Sequence, residues 1–262
     1  MALDRTTAPI IKDAVDFDIQ LKPCDKYVLD NGVEVYAFEG GAQEVMLMEL
    51  VFFAGNSYET KNWVAPATNY LLKNGTSTKS AFEVNDAFEF YGAYLNRSCY
   101  NETATISLHT LTKHFGEVIP VVSELVADAV FPENELDIYA KNQIQQLTLN
   151  LKKGDFIANR FIDEYLFGID HPYGKYSSEE SYNQLTREDL VAYYNKYYRE
   201  GKCIVFMAGK FPANIASILN KHIGSLPLNK NEIILPTHKI VSATQKKYSV
   251  VNDPSSVQGS IR

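Results

Sequence analysis

The sequence predicts an α+β fold of two layers, a mostly antiparallel sheet backed by helices. Three observations carry that prediction. Strand-like runs are joined as hairpins rather than in regular βαβ alternation. Strands and helices are partly segregated: three strands, helices, a hairpin, several helices, a strand and a helix. One run, Val45 to Ala54, is apolar on both faces, as a central strand must be.

Residues 1–22 read as a loosely ordered arm without periodicity. Lys26 to Asp30 and Val33 to Phe38 then read as a hairpin. Asn31-Gly32 offers the positive φ angles of a type I′ turn, and Val33, Val35 and Ala37 alternate with Glu34, Tyr36 and Phe38. Gly55 and Asn56 end the central strand. A helix from Val64 to Asn74 follows, with Pro66 tolerated in its first turn and Gly75 just past its end. Ser80-Ala81-Phe82-Glu83 is a capping box and opens a helix that stops at Gly92. Ala93 to Cys99 and Thr103 to Thr110 make a second hairpin.

Phe115 to Val130 reads as helical with a break near Pro120, where a backbone donor is lost. Asn134 to Leu151 is a long helix, its Leu136, Ala140, Ile144, Leu147 and Leu151 forming an apolar stripe. A further helix covers Asp155 to Phe167. Thr186-Arg187-Glu188-Asp189 caps a helix bearing Tyr193, Tyr194, Tyr197 and Tyr198. A strand at Lys202 to Ala208 and a helix from Pro212 to His222 complete the domain, 23–226. Residues 227–246, with Pro227 and Pro236, read as a linker. Residues 247–262 read as the opening of a second domain, so the sequence looks like a piece of a longer protein.

The 262 residues carry 25 Lys and Arg against 32 Asp and Glu, a net charge of −7. No basic block stands out, which argues against a nucleic-acid or anionic-membrane footprint. Apolar runs such as Ile204 to Met207 fall far short of the roughly 20 residues that span a bilayer. Residues 1–20 contain no apolar signal core. The chain therefore reads as soluble, cytoplasmic or, had a signal been removed, periplasmic. Cys24, Cys99 and Cys203 form no Cys-x-x-Cys pair and read as buried or half-buried thiols. His109, His114, His171, His222 and His238 include no i, i+4 pair and no His-x-x-Glu, and read as surface or capping residues.

An ordered set of short motifs resembles one family. Leu29-Asp30-Asn31-Gly32-Val33 resembles the N-terminal hairpin of the pitrilysin, insulinase and mitochondrial-processing-peptidase family. Phe53-Ala54-Gly55-Asn56-Ser57-Tyr58-Glu59 resembles its next strand and small-residue exit. Asn74-Gly75-Thr76 resembles the turn after its metal-binding helix, and Gly92 with Asn96 the start of the strand that follows. Phe131-Pro132 with Leu136, His171-Pro172-Tyr173-Gly174, Leu185 to Leu190, Tyr198, and Val205 to Gly209 complete the series. The resemblance implies a processing-peptidase-like metallohydrolase fold, with residues 247–262 starting a second, homologous domain.

Active members, by that resemblance, hold zinc through an inverted His-x-x-Glu-His motif and a Glu on the following long helix. Anchored on Asn74-Gly75-Thr76, the first histidine position falls on Pro66, the general base on Asn69 and the second histidine on Tyr70. The third ligand position falls on Gln146, with Gln145 beside it. Proline has no donor atom and asparagine accepts no proton near pH 7. A phenol of pKa about 10 and a neutral glutamine are poor zinc ligands. No histidine lies between Met1 and Leu108, so no shift of alignment restores the motif. No catalytic residue, metal or other cofactor is expected, and the sequence argues against an enzyme.

The resemblance further implies a zinc-free half or subunit that pairs with a zinc-bearing peptidase of the same family, with its own C-terminal domain, or with both. Such a half would help to form a peptide chamber, where net −7 would favour basic segments. Active relatives hold substrate as an added β-strand. Ala93, Tyr94, Leu95, Asn96 and Arg97 match that strand by position, although Arg97 and Cys99 depart from the small residues preferred there. The alternatives are an active zinc metalloendopeptidase whose ligands lie outside this chain, and a stand-alone peptide-binding or scaffold protein.

Overall fold

Six strands form one mixed sheet, β1 (Asp25–Val28), β2 (Glu34–Glu39), β3 (Val45–Phe52), β4 (Tyr94–Cys99), β5 (Ala104–Leu111) and β6 (Cys203–Gly209). Their spatial order is β1-β2-β6-β3-β5-β4. All pairings are antiparallel except β2 with β6, which run parallel. The structure, a computed structural model, describes residues 22–230, 232, 234, 237, 250–252 and 259–261. The expected mostly antiparallel α+β sheet is therefore found.

The alternation read along each strand becomes a packed surface across the sheet. Register aligns Ala37, Met207, Met48, Leu108 and Leu95 in one row across five strands, and all five are buried. Each large apolar side chain so buried is worth roughly 1.5–3 kcal/mol. β3 is central, between β6 and β5, as its apolar faces predict. Onto this face pack α1 (Val64–Leu71), α3 (Phe115–Asp128) and α7 (Arg187–Tyr194), which continues as a π-helical turn, Asn195–Arg199. The Phe52 and Tyr198 rings, 4.9 Å apart, join sheet to helix at the centre. The opposite face is partly open, with Phe38, Tyr94 and Phe206 exposed.

The remaining helices are α2 (Ala81–Glu89), α4 (Glu133–Asn150), α5 (Gly154–Phe167), α6 (Glu179–Asn183) and α8 (Ile215–Leu219). The capping boxes read at Ser80 and Thr186 are both formed. None of the helices among the described residues is long and apolar enough to cross a membrane.

Several expectations need correction. The first hairpin does not turn through a type I′ pair, because Asn31 keeps a negative φ and only Gly32 is left-handed, at +83°. Gly32 N–H donates to the Leu29 carbonyl (2.8 Å) and Leu29 N–H to Val33 (2.9 Å), a three-residue loop closed by its glycine. Asn31 is spent elsewhere: its Nδ2 donates to the carbonyls of Ile223 (2.8 Å) and Leu226 (3.0 Å), tying the domain's last turn to its first. Nor does α3 break at Pro120. The lost hydrogen bond frees the Gly116 carbonyl, and both residues are exposed, so that carbonyl is open to solvent and carries no burial cost. Cys24 is exposed rather than buried or half-buried, while Cys203 is buried and Cys99 half-buried.

In α4, Leu136 and Leu147 are buried as expected, but Leu151 is exposed, and Tyr139 joins the buried face near the helix's start. Packing continues to Leu228, and Asn229 N–H donates to Gly201, a little way into the stretch read as linker. Most of that stretch and of 247–262 lies outside the described residues, as do 1–21.

α5 has no buried residue. A helix whose core contact is limited to half-buried side chains such as Phe156 opens at lower cost. In native-state hydrogen exchange, the amides of Gly154–Phe167 should exchange before those of α3, whose Val118, Ile119, Val122 and Leu125 are enclosed. Equal protection of the two helices would contradict this.

Candidate functional site

The positions of interest lie on α1 and on the sheet edge beside it. The chain leaves β3 at Gly55, makes a short 3₁₀ turn at Asn56–Tyr58, and enters α1 through Trp63, whose φ of 71° is left-handed. Pro66 is the third residue of α1, where its missing N–H costs no intrahelical bond. The Glu59 carboxylate accepts from the Ala65 N–H (3.2 Å), placing negative charge at the helix N-terminus. Burial pushes the Glu59 carboxyl up to about 7, against the pull of the Ala65 and Trp63 backbone donors and of Lys175.

α1 is enclosed on most sides, with Val64, Ala65, Ala67, Thr68, Asn69 and Leu71 buried. Asn69 is 3% exposed, and its Nδ2 donates to the Thr105 carbonyl of β5 (3.2 Å). Tyr70, 46% exposed, points out of the layer and packs its ring against Tyr139 of α4, with centroids 5.0 Å apart. The Arg97 guanidinium of β4 lies 5.1 Å from the Tyr70 ring and donates to the Tyr70 carbonyl. Tyr139 also meets Tyr182, which in turn meets Trp63.

The structure thus brings Pro66, Asn69 and Tyr70 together on one helix and sets α4 against it. The ring that meets Tyr70 from α4 is Tyr139. Gln146 lies two turns further along α4, roughly 10 Å at 1.5 Å per residue. It is exposed, its Nε2 donating to Asn150 (3.2 Å), and Gln145 is exposed beside it.

These residues do not fit a zinc ion. The Asn69 amide is committed to a backbone carbonyl, Tyr70 presents a ring face to Arg97, and Pro66 has nothing to donate. Among the described residues no three His, Cys, Asp or Glu side chains gather closely enough to hold a metal ion. The neighbouring Cys99 thiol is held neutral, pushed up to about 12 by burial and then by Glu59.

β4 forms the outer edge of the sheet and pairs only with β5 among the described residues. On an edge strand, alternate N–H and C=O groups point away from the sheet and can pair with another strand. Ala93 and Leu95 turn inward and are buried, whereas Tyr94 (63% exposed) and Asn96 face the open side. Arg97 points to the helix side, towards α1. Just past α1, half-buried Lys73 has its pKa lowered, by burial first and then by Arg97, with Glu89 pulling the other way.

Reading the sequence alone does not single out Glu59, Lys73 or Tyr139. Only Tyr139 carried a usable signal, sitting three residues after Leu136 on the buried stripe of α4.

Comparison with known proteins agrees with this geometry. The profile of the family described as "Peptidase M16 inactive domain" matches residues 184–261. The chain is 22% identical over 204 residues to the uncharacterized zinc protease YmxG of Bacillus subtilis, covering 76% of this chain and 50% of that one. It is 23% identical to the probable mitochondrial-processing peptidase subunit beta of Schizosaccharomyces pombe, covering 70% and 41%. The chain spans about half the length, or less, of these relatives. The crystal structure of a peptidase M16 inactive domain from Pseudomonas fluorescens has the same fold, with a TM-score of 0.75 and 21% identity over 83% of this chain and 54% of that one. The resemblance to peptidase M16 and processing-peptidase relatives is borne out.

Proposed function

We propose that this chain is the zinc-free half of a two-part peptidase, pairing with a zinc-bearing relative and lending it chamber wall and a strand edge for peptide. The observation that carries this reading is the replacement of donors by a proline, a buried amide and a ring-stacked phenol on α1. The site has been rebuilt as packing, and the fold around it persists. A free β4 edge beside α1 supports peptide contact. Exposed Leu149, Tyr165, Leu166, Phe167 and Ile169 around α4 and α5 support a partner surface. A relative named as a processing-peptidase subunit supports the pairing.

Two measurements on the 262-residue chain test the reading. Metal analysis after dialysis should find no stoichiometric zinc, and the chain alone should not cleave a mixed peptide substrate. Mixed with the zinc-bearing relative from the same genome, one carrying an intact His-x-x-Glu-His, it should co-elute as a complex and raise that relative's peptidase activity. Tight zinc removed only by a chelator, or no complex at micromolar concentrations, would overturn the proposal.

A further inference from the structure

The β4 edge carries an unbalanced positive charge. Arg97 reaches the last turn of α1 at the Tyr70 carbonyl, three residues before Lys73, and neither cation forms an ion pair among the described residues. The groups acting electrostatically on Arg97 are the Tyr70 and Tyr94 phenols, with no carboxylate among them. Its acceptor among the described residues is the Tyr70 carbonyl, in the last turn of α1, where the helix dipole offers partial compensation. Its Nε is enclosed without any hydrogen-bond partner. Lys73 feels one carboxylate, Glu89, which does not act on Arg97. A half-buried guanidinium with donors to spare is the natural partner of a carboxylate, which it can grip through two N–H groups.

We propose that Arg97 and Lys73 form a carboxylate-binding subsite, so that the peptide added along β4 is an acidic one with an Asp or Glu side chain set against Arg97. The inference rests on the strand-edge reading above and names the ligand class of that same edge. It also reverses the expectation from net charge. The chain's −7 is the sum over 262 residues, whereas Arg97 and Lys73 set two cations at this edge.

The test is fluorescence anisotropy on the 262-residue chain with two labelled, C-terminally amidated peptides. One is Thr-Val-Thr-Glu-Val-Thr-Val, and the other carries Gln in place of Glu. The Glu peptide should bind roughly tenfold tighter at low salt, with the difference shrinking as ionic strength rises. Arg97→Gln should bring the two affinities together. Arg97→Lys should keep part of the preference, and Lys73→Gln, which leaves the Tyr70 contact untouched, should reduce it. Equal binding of both peptides to the unmodified chain, or a preference that survives both Arg97→Gln and Lys73→Gln, overturns the subsite alone. Absence of binding by either peptide overturns the strand-edge reading and the subsite with it.

Discussion

Replacing Gly55 by alanine should destabilise the domain by about 3 kcal/mol, at the upper end of the range for overpacked sites. A Cβ at this position would lie 2.4 Å from the Asn101 oxygen and 2.5 Å from the Tyr100 oxygen. Both are backbone atoms of the β4–β5 turn, and backbone cannot swing aside as a lysine tip can. The φ of Gly55 is −88°, which any residue can adopt, so the penalty is one of contact and not of dihedral strain. The contact is also where three parts of the site meet. Gly55 N–H donates to Glu102 (3.3 Å), Asn56 N–H to Tyr100 (3.0 Å) and Ser57 N–H to Asn101 (2.8 Å), while the Tyr193 hydroxyl of α7 donates to the Gly55 carbonyl (3.0 Å). Forcing them apart would shift the entrance of α1 relative to β4. Urea unfolding checks the magnitude, with Gly116→Ala as the control, since nothing lies within 4 Å of a Cβ there and helix propensity predicts a gain of about 0.5–1 kcal/mol. A Gly55→Ala chain within ~1 kcal/mol of the unmodified protein would show that the turn yields.

How far the sequence foretold this site depends on the range of the interaction concerned. Local signals were read well. Ser80 and Thr186 announce their helices because the cap and its partner lie three residues apart, and Val33, Val35 and Ala37 announce an inward face because strands repeat every two residues. Long-range placement was out of reach. Nothing local says that β6 slots between β2 and β3, parallel to one and antiparallel to the other. The Asn31-Gly32 turn was misread for the same reason: Asn31 answers to Ile223 and Leu226, almost the whole domain away. At the site, the absence of imidazoles was plain from composition, and motif anchoring put Pro66, Asn69 and Tyr70 on one helix. The anchoring could not show that Tyr139 faces Tyr70, or that Arg97 fills the space over the same ring, because both facts depend on how α4 and β4 dock.

Glu59→Gln should remove most of a pH dependence of stability that the unmodified chain shows between about pH 4.5 and 7. The Glu59 carboxyl lies close enough to Tyr139 and Tyr193 to act on their phenols, and burial raises its pKa from 4.5 to about 7. Folding therefore favours its protonated form. The group costs nothing below the unfolded pKa, and stability falls as pH rises through the folded one, levelling off above it. The interval from 4.5 to about 7 corresponds to ~3 kcal/mol at most. Glutamine is neutral and keeps an oxygen for the Ala65 N–H, so the variant should be the more stable protein at pH 8 by up to that amount and gain nothing at pH 4. Because other groups titrate equally in both chains, the difference between their urea midpoints isolates this carboxyl; parallel curves from pH 4 to 8 would show that Glu59 is already well solvated. The consequence reaches beyond stability. Glu59 anchors the first turn of α1, and the last turn of that helix supplies the carbonyl that holds Arg97. A carboxylate that resents its burial at neutral pH loosens the entry of the helix on which the strand edge depends, so peptide affinity along β4 should rise in Glu59→Gln most clearly above pH 7.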